Sequence, residues 1–225
     1  MRWLTRGGLV AACAVGAGTT WGLGWGGLAL LATFFLSGSL LSQFAERRGP
    51  ERTARQVLAN GGVATIAALL GAWSVAAGAI AAAAADTWAT EIGAFSPCPP
   101  RLITSGGRVT RGTSGGITLL GTLGGVVGAG LIAGLAGLLK PRGAAPGSAA
   151  LIAGAGVTGM LVDSLLGATL QGKYQCPACD ARFERGTTVC HEPVQLTGGW
   201  GWLDNDGVNL AATLCGAAVA LVGSH

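Results

Sequence analysis

The chain has 225 residues, a mean hydropathy of +0.55 and only 11% charged residues, with a formal charge of +4. Apolar runs of roughly 17–25 residues recur, so the composition excludes an ordinary soluble domain and indicates one multi-pass helical membrane domain over 1–225. Glycine supplies 41 residues, about twice globular usage, but without a Gly-X-Y repeat, which excludes collagen. The 14 basic residues are scattered through short loops rather than gathered on a basic helix, so no nucleic-acid partner is expected.

In chain order, residues 7–21 form a short Gly-rich apolar segment and 22–44 a stronger one rich in Leu and Phe. Arg2 and Arg6 precede the first run as they would in a signal peptide, but the later spans favour a retained segment. Trp21 and Trp25 mark a membrane interface. Further spans are expected over 57–72, 74–94, 115–139, 147–170 and 203–223, giving an all-α polytopic fold of six or seven hydrophobic segments. A polar loop over 171–199 is inserted before the last.

Charge bias sets the expected orientation. If 57–94 is a helical hairpin, loops 45–56, 95–114 and 171–199 share one side and carry four, three and three Lys plus Arg, against two in loop 140–146. The positive-inside rule places the richer side in the cytoplasm of a cell-membrane protein. That topology brings Asn60, Asp86, Glu91, Asp163, Asp204, Asn205, Asp206 and Asn209 to a similar depth near the cytoplasmic face.

Carboxylates in such segments are costly, by roughly 2.5–3.5 kcal/mol at mid-helix, and usually face a partner, an ion or a polar cavity. Asp86 follows five alanines with no local cation to neutralise it. Hard carboxylate oxygens suit Mg²⁺, which also bridges phosphate oxygens. Asp86, Asp163, Asp204 and Asp206 are therefore candidate Mg²⁺ ligands, and Asp86, Asp163, Asp206 and Glu91 candidate catalytic acids. A helix-packing hydrogen bond is the alternative for Asp86, and a helix N-cap the alternative for Asp204. Asp86 and Glu91, five residues apart, do not share one ideal helical face.

The segment 101–116 holds Arg101, Arg108, Arg111, Thr113 and Ser114 among glycines. Such a loop can wrap phosphate with backbone N–H groups and guanidinium forks, although it is no Walker A motif. Asn60, Asn205 and Asn209 complete the expected phosphate-binding set. The alternative is a basic loop that only fixes orientation. Glycine clusters in 121–137 and 152–159 suit close helix packing or a broken helix around an ion. Cys176, Cys179, Cys190 and His191 resemble a small zinc knuckle, with a structural Zn²⁺ as its expected ion. Unmetallated thiols or a transient disulfide are the alternatives.

At Gln56–Gly62 (QVLANGG), Ala85–Glu91 (ADTWATE), Gly112–Gly116 (GTSGG), Asp163–Ala168 (DSLLGA) and Trp202–Asn209 (WLDNDGVN) the chain resembles the integral membrane family called domain of unknown function 92. The resemblance runs from about Leu4 to Val222. The family includes transmembrane protein 19 and the plant phytyl-phosphate kinase. It implies a lipid phosphate as substrate, with phosphoryl transfer from CTP or another nucleoside triphosphate to an isoprenoid (phytyl or prenyl) monophosphate. Membrane lipid, that monophosphate and the nucleotide are then the expected partners. A cation-coupled transporter and a non-catalytic structural protein are the competing classes.

Overall fold

The computed structural model describes residues 3–45, 51–141, 147–179, 181–183, 186 and 190–223. Arg2, Arg47, Arg48, Arg142 and His225 lie outside these residues. The molecule is an all-α polytopic membrane protein. Its described residues form six helices: α1 Arg6–Phe44, α2 Ala54–Leu69, α3 Trp73–Gly93, α4 Leu119–Leu139, α5 Ala149–Thr169 and α6 Asn205–Val222. Among the described residues, α1, α4, α5 and α6 are long and apolar enough to cross a membrane.

Local chemistry sets most helix starts. Thr5, Thr53, Thr118, Ser148 and Asp204 each accept a hydrogen bond from an otherwise unpaired backbone N–H of the first turn. Thr53 and Gln56 form a reciprocal capping box. The α2–α3 corner turns within a few residues at Gly71, whose φ of 70° a bulkier residue resists.

The first helix is not one straight rod. It breaks at Gly24 (φ 66°). The rings of Trp3 and Phe35 lie 5.9 Å apart, whereas an unbroken helix would separate the two positions by about 48 Å. The arms therefore fold back on each other. The expected pair of segments is present, with its boundary two residues later than the sequence indicates.

The middle of the bundle belongs to α3, which touches all five other helices. Its residues from Ala76 to Ala85 are all buried. A helix surrounded by protein needs small side chains rather than large apolar ones, because its backbone must approach its neighbours closely. The contact with α6 shows how closely: a Cβ at Gly216 would stand 2.6 Å from the Gly78 carbonyl oxygen. Large apolar groups instead face outward, among them Leu9, Val10, Leu119, Leu138 and Val222. Trp21 and Trp25 flank the Gly24 turn at one end, while Trp202, Phe44 and Phe95 are exposed at the other. Exposed aromatic residues at both ends suit a surface flanked by two membrane interfaces.

Antiparallel succession gathers the chain segments at two ends. At one end Leu4 bridges to Arg52, Arg55 pairs with Asp204, and Gln171 bridges to Trp200. At the other, the Trp73 indole donates to the Ala136 carbonyl at 3.2 Å and Gly26 packs on the same ring. The polar loops are structured. Strands β1 Arg101–Leu102 and β2 Gly116–Ile117 pair antiparallel. The 171–199 insertion, which the sequence presents only as a polar loop, contains a three-stranded antiparallel sheet. It is built from β3 Lys173–Gln175, β4 Arg182–Phe183 and β5 Gln195–Gly198, in order β4-β3-β5.

Candidate functional site

A cavity of about 650 Å³ opens at the end of the bundle where α2, α4 and α6 begin and α3 and α5 end. Such a volume lies within the usual range for small-molecule sites. Its polar wall brings together Asn60, Asp86, Glu91, Asp163, Asn205 and Asn209. Five consecutive helices thus contribute through their ends, except that α4 supplies Thr118, Gly121 and Thr122 rather than a charge. Its apolar wall comes largely from the two arms of α1, with Val15, Leu28, Leu31, Phe34 and Phe35.

Asp86 and Asp163 meet within this cavity, their carboxyl groups in hydrogen-bond contact. Two carboxylates so close either share a proton, so that only one is ionised, or are both held ionised by a cation. Glu91 lines the same wall despite its five-residue offset from Asp86, because the cavity spans more than one helical face. Ser42 donates to its Oε1 at 2.6 Å, while its Oε2 is buried without a hydrogen-bond partner among the described residues. The Gln171 side chain, 2% exposed, borders the cavity with its Nε2 equally unpartnered. Buried polar atoms of this kind are normally satisfied, so they mark where a ligand or water completes the site.

The cation beside these acids is Arg52. Its guanidinium lies 5.2 Å from the Phe35 ring centroid, borders the cavity and feels the charge of Glu91. Burial pushes its pKa down from the ordinary arginine value, and Glu91 works in the opposite direction. Its backbone is clamped, with its N–H donating to Trp3 and its carbonyl accepting from Thr5. The sequence alone assigns no role to Arg52, Gln56 or Gln171. The Thr53-x-x-Gln56 capping box would have located the start of α2 just after Arg52, but nothing local to Gln171 announces it.

Of the three basic residues expected to hold phosphate, Arg111 lines the cavity. Its guanidinium donates to the Ala94 and Ser96 carbonyls at 2.7 and 2.5 Å, which ties the loop to the end of α3. Arg101 and Arg108 lie outside the cavity lining, paired to each other by a β-bridge, with Arg101 also donating to the Gly106 carbonyl. Thr113 and Ser114 border the cavity on the turn 112–116. That turn seats Gly115 against α5, where φ of 78° and a Cβ position 2.5 Å from Ala168 Cβ both demand glycine.

Asp204 and Asp206 also stand outside the lining. Asp204 caps α6 through the Gly207 N–H and pairs with Arg55 at 3.0 Å. Asp206 is buried beside the same arginine at 3.9 Å. The amides on this helix, Asn205 and Asn209, are the side chains that turn to the cavity, one helical turn apart.

A second cluster lies in the insertion. The ligand atoms of Cys176, Cys179, Cys190 and His191 all lie within 4.8 Å of one another and could hold a metal ion. The Glu192 backbone amide, the largest influence, lowers the Cys176 thiol to about 6. Its neighbour Cys179 pushes Cys190 up.

The integral membrane protein family DUF92 has a model that matches residues 1–217. The chain is also 32% identical over 243 residues to Protein PGR of Arabidopsis thaliana, covering 83% of this chain and 77% of that protein. No solved structure matches. A bundle whose carboxylates and amides meet at one end, in a chain matched by the family model over nearly its whole length, belongs to the DUF92 family of integral membrane proteins.

Proposed function

We propose that this protein is a Mg²⁺-dependent kinase that transfers the γ-phosphoryl group of CTP or another nucleoside triphosphate to an isoprenoid monophosphate. The observation that carries the reading is the contact of Asp86 with Asp163 in a cavity bordered by Arg52 and Arg111. Membership of a family that includes a phytyl-phosphate kinase supports the same chemistry. The proposed protein is one membrane domain of six or seven crossings. By the positive-inside rule, its cavity faces the cytoplasm of a cell membrane, where nucleotide is available.

The donor set fits a hard divalent cation. Paired carboxylates and a buried, unpartnered carboxylate oxygen on Glu91 are oxygen ligands of the kind Mg²⁺ prefers. Asp86 and Asp163 would hold the ion, with Asp206 and Asp204 as the more distant acids; when bound, it supplies charge neutralisation of the phosphates. Arg52 meets phosphate charge directly. Arg111, Thr113 and Ser114 keep the 112–116 turn and its backbone N–H groups over the site, while Arg101 and Arg108 would add positive potential from the same loop. Asn60, Asn205, Asn209 and Gln171 offer amide hydrogens to phosphate oxygens. The apolar wall from α1 takes the start of the prenyl tail.

An oxygen of the acceptor monophosphate forms the new bond to the γ-phosphorus as the bridge to the β-phosphate breaks. The lipid diphosphate and a nucleoside diphosphate leave. That nucleophile is already anionic, so no histidine base is needed, and His191 lies in the distant cysteine insertion rather than in the cavity lining. Positioning and charge neutralisation are the demands of this reaction class. A cation-coupled transporter would place a helix break at its acidic site. Here the break at Gly24 lies at the opposite end of the bundle.

The test is product formation by detergent-purified protein supplied with CTP or ATP and a panel of prenyl monophosphates, with Mg²⁺ or with chelator. Mg²⁺-dependent prenyl diphosphate plus nucleoside diphosphate is expected. No product across the panel from folded protein overturns the kinase reading in favour of transport or an assembly role.

A further inference from the structure

We infer that Cys176, Cys179, Cys190 and His191 bind one structural zinc ion that staples the α5–α6 connection and thereby holds the Gln171 rim of the cavity. The inference concerns a second site and does not depend on the kinase reading.

The four donors are three thiols and an imidazole, the soft and borderline set that suits tetrahedral zinc rather than the hard cations of the acidic cavity. Their spacing already matches. Two thiolates on one tetrahedral zinc stand about 3.7–3.8 Å apart, and a thiolate and an imidazole nitrogen about 3.6 Å. Cys179 Sγ lies 3.5 Å from Cys190 Sγ, and Cys190 Sγ lies 3.4 Å from His191 Nδ1. The adjacent Cys190 and His191, awkward partners on paper, do converge because the chain turns there, with the Cys190 N–H donating to the Glu192 carbonyl. Opposite them, Cys176 and Cys179 sit at the turn leading into β4, closed by the Cys176 N–H on Ala181 O at 2.9 Å. Three short strands bury too little apolar surface to hold such a turn unaided, which is the usual reason for a metal in a small sheet.

The cluster is coupled to the cavity by covalent and hydrogen-bonded continuity. The chain runs from the cluster at Cys176 back through β3 to Gln171 within five residues, and from His191 on through β5 to Trp200 and Leu203. At the membrane end these two chains are tied together, Trp200 N–H to Leu170 O at 2.8 Å and Gly172 N–H to Leu203 O at 2.9 Å. Lys173 Nζ donates to the Ala168 carbonyl at the end of α5. Fixing the far end of β3 and β5 therefore fixes the backbone that aims the buried Gln171 side chain and starts α6 at Asp204. Gln171 is a positioning-dependent wall of the cavity rather than a zinc ligand.

The experiment uses full-length protein purified in detergent without chelator, and needs neither nucleotide nor lipid substrate. Elemental analysis is expected to give about one zinc per chain. Cys176→Ala and Cys179→Ala should each lose it, while Cys13→Ser and Cys215→Ser keep it. Cobalt replacement should give the visible bands of a tetrahedral thiolate site. Metal-free protein, zinc retained in both cysteine variants, iron in place of zinc, or a Cys179–Cys190 disulfide in freshly prepared protein each overturns the assignment. Because those variants can fail to fold, zinc is also stripped from the wild type. Amide exchange at Gly172 and Trp200 should then accelerate at least tenfold, while amides of α3 stay protected. Unchanged exchange at Gly172 and Trp200 refutes the staple.

Discussion

Replacing Asp86 by Asn tests the centre of the site most directly. The exchange keeps size and hydrogen-bonding capacity but removes one of two carboxylates that touch. At an effective dielectric near ~20, two like charges in contact repel by several kcal/mol. The wild-type pair escapes that cost only by sharing a proton or holding a cation, and on the proposed reading a divalent ion takes the proton's place. In the Asp86→Asn variant the new side-chain amide can donate to Asp163 without either. In metal-free buffer the variant should therefore melt no lower than the wild type. Its stabilisation by millimolar Mg²⁺ should vanish, and its turnover should fall about 10²–10³-fold, the loss expected when one preorganised electrostatic contact of about 2.7–4 kcal/mol is removed. The assays are thermal unfolding of detergent-solubilised protein with and without Mg²⁺, and prenyl diphosphate formation at saturating nucleotide. A folded variant that keeps both its Mg²⁺-dependent melting shift and its normal turnover would refute the assignment of Asp86 to the ion.

Three more changes separate chemistry from architecture. Arg52→Gln removes the cation beside Glu91 and Phe35. Nucleotide or lipid-phosphate affinity should weaken by about 10–100-fold, from the loss of a charge-assisted contact of roughly 1.5–3 kcal/mol, whereas Arg52→Lys should recover part of it; equal affinity in all three proteins by titration calorimetry removes Arg52 from the site. Gly115→Ala puts a Cβ 2.5 Å from Ala168 at a φ of 78°, so a stability loss of about 1–3 kcal/mol is expected in thermal unfolding. A wild-type melting temperature would show that the 112–116 turn can move off α5. Gly216→Val overfills the α3–α6 contact and should destabilise by a similar amount or more. Unchanged detergent stability would mean these helices are not held at the observed separation.

Much of this architecture is legible in the sequence because lipid imposes a simple rule. Runs of apolar residues must become helices that satisfy their own backbone, and short loops alternate between two ends. That alternation alone predicts that Asn60, Asp86, Glu91, Asp163, Asp204, Asn205, Asp206 and Asn209 share a depth; six of the eight line the cavity, and Asp204 and Asp206 stand outside its lining. A helix start is legible for the same kind of local reason at Asp204, where the N-cap alternative is the role its side chain takes.

What the sequence leaves open depends on groups brought together from far apart in the chain. Depth is a one-dimensional property, whereas direction around the helix axis is decided by neighbours. Asp206 and Asn209 share a sequence string, yet the former is buried beside Arg55 and the latter faces the cavity. Three arginines in 101–116 look equivalent, and only the fold of β1, β2 and the 112–116 turn distinguishes Arg111, at the cavity, from Arg101 and Arg108. Arg52 becomes the central cation only because the doubled-back α1 places Phe35 beneath it and α3 brings Glu91 near. Hydropathy and capping thus determined the membrane class and the level of the polar groups. Packing around an alanine helix, which no local pattern encodes, decided which of those groups meet.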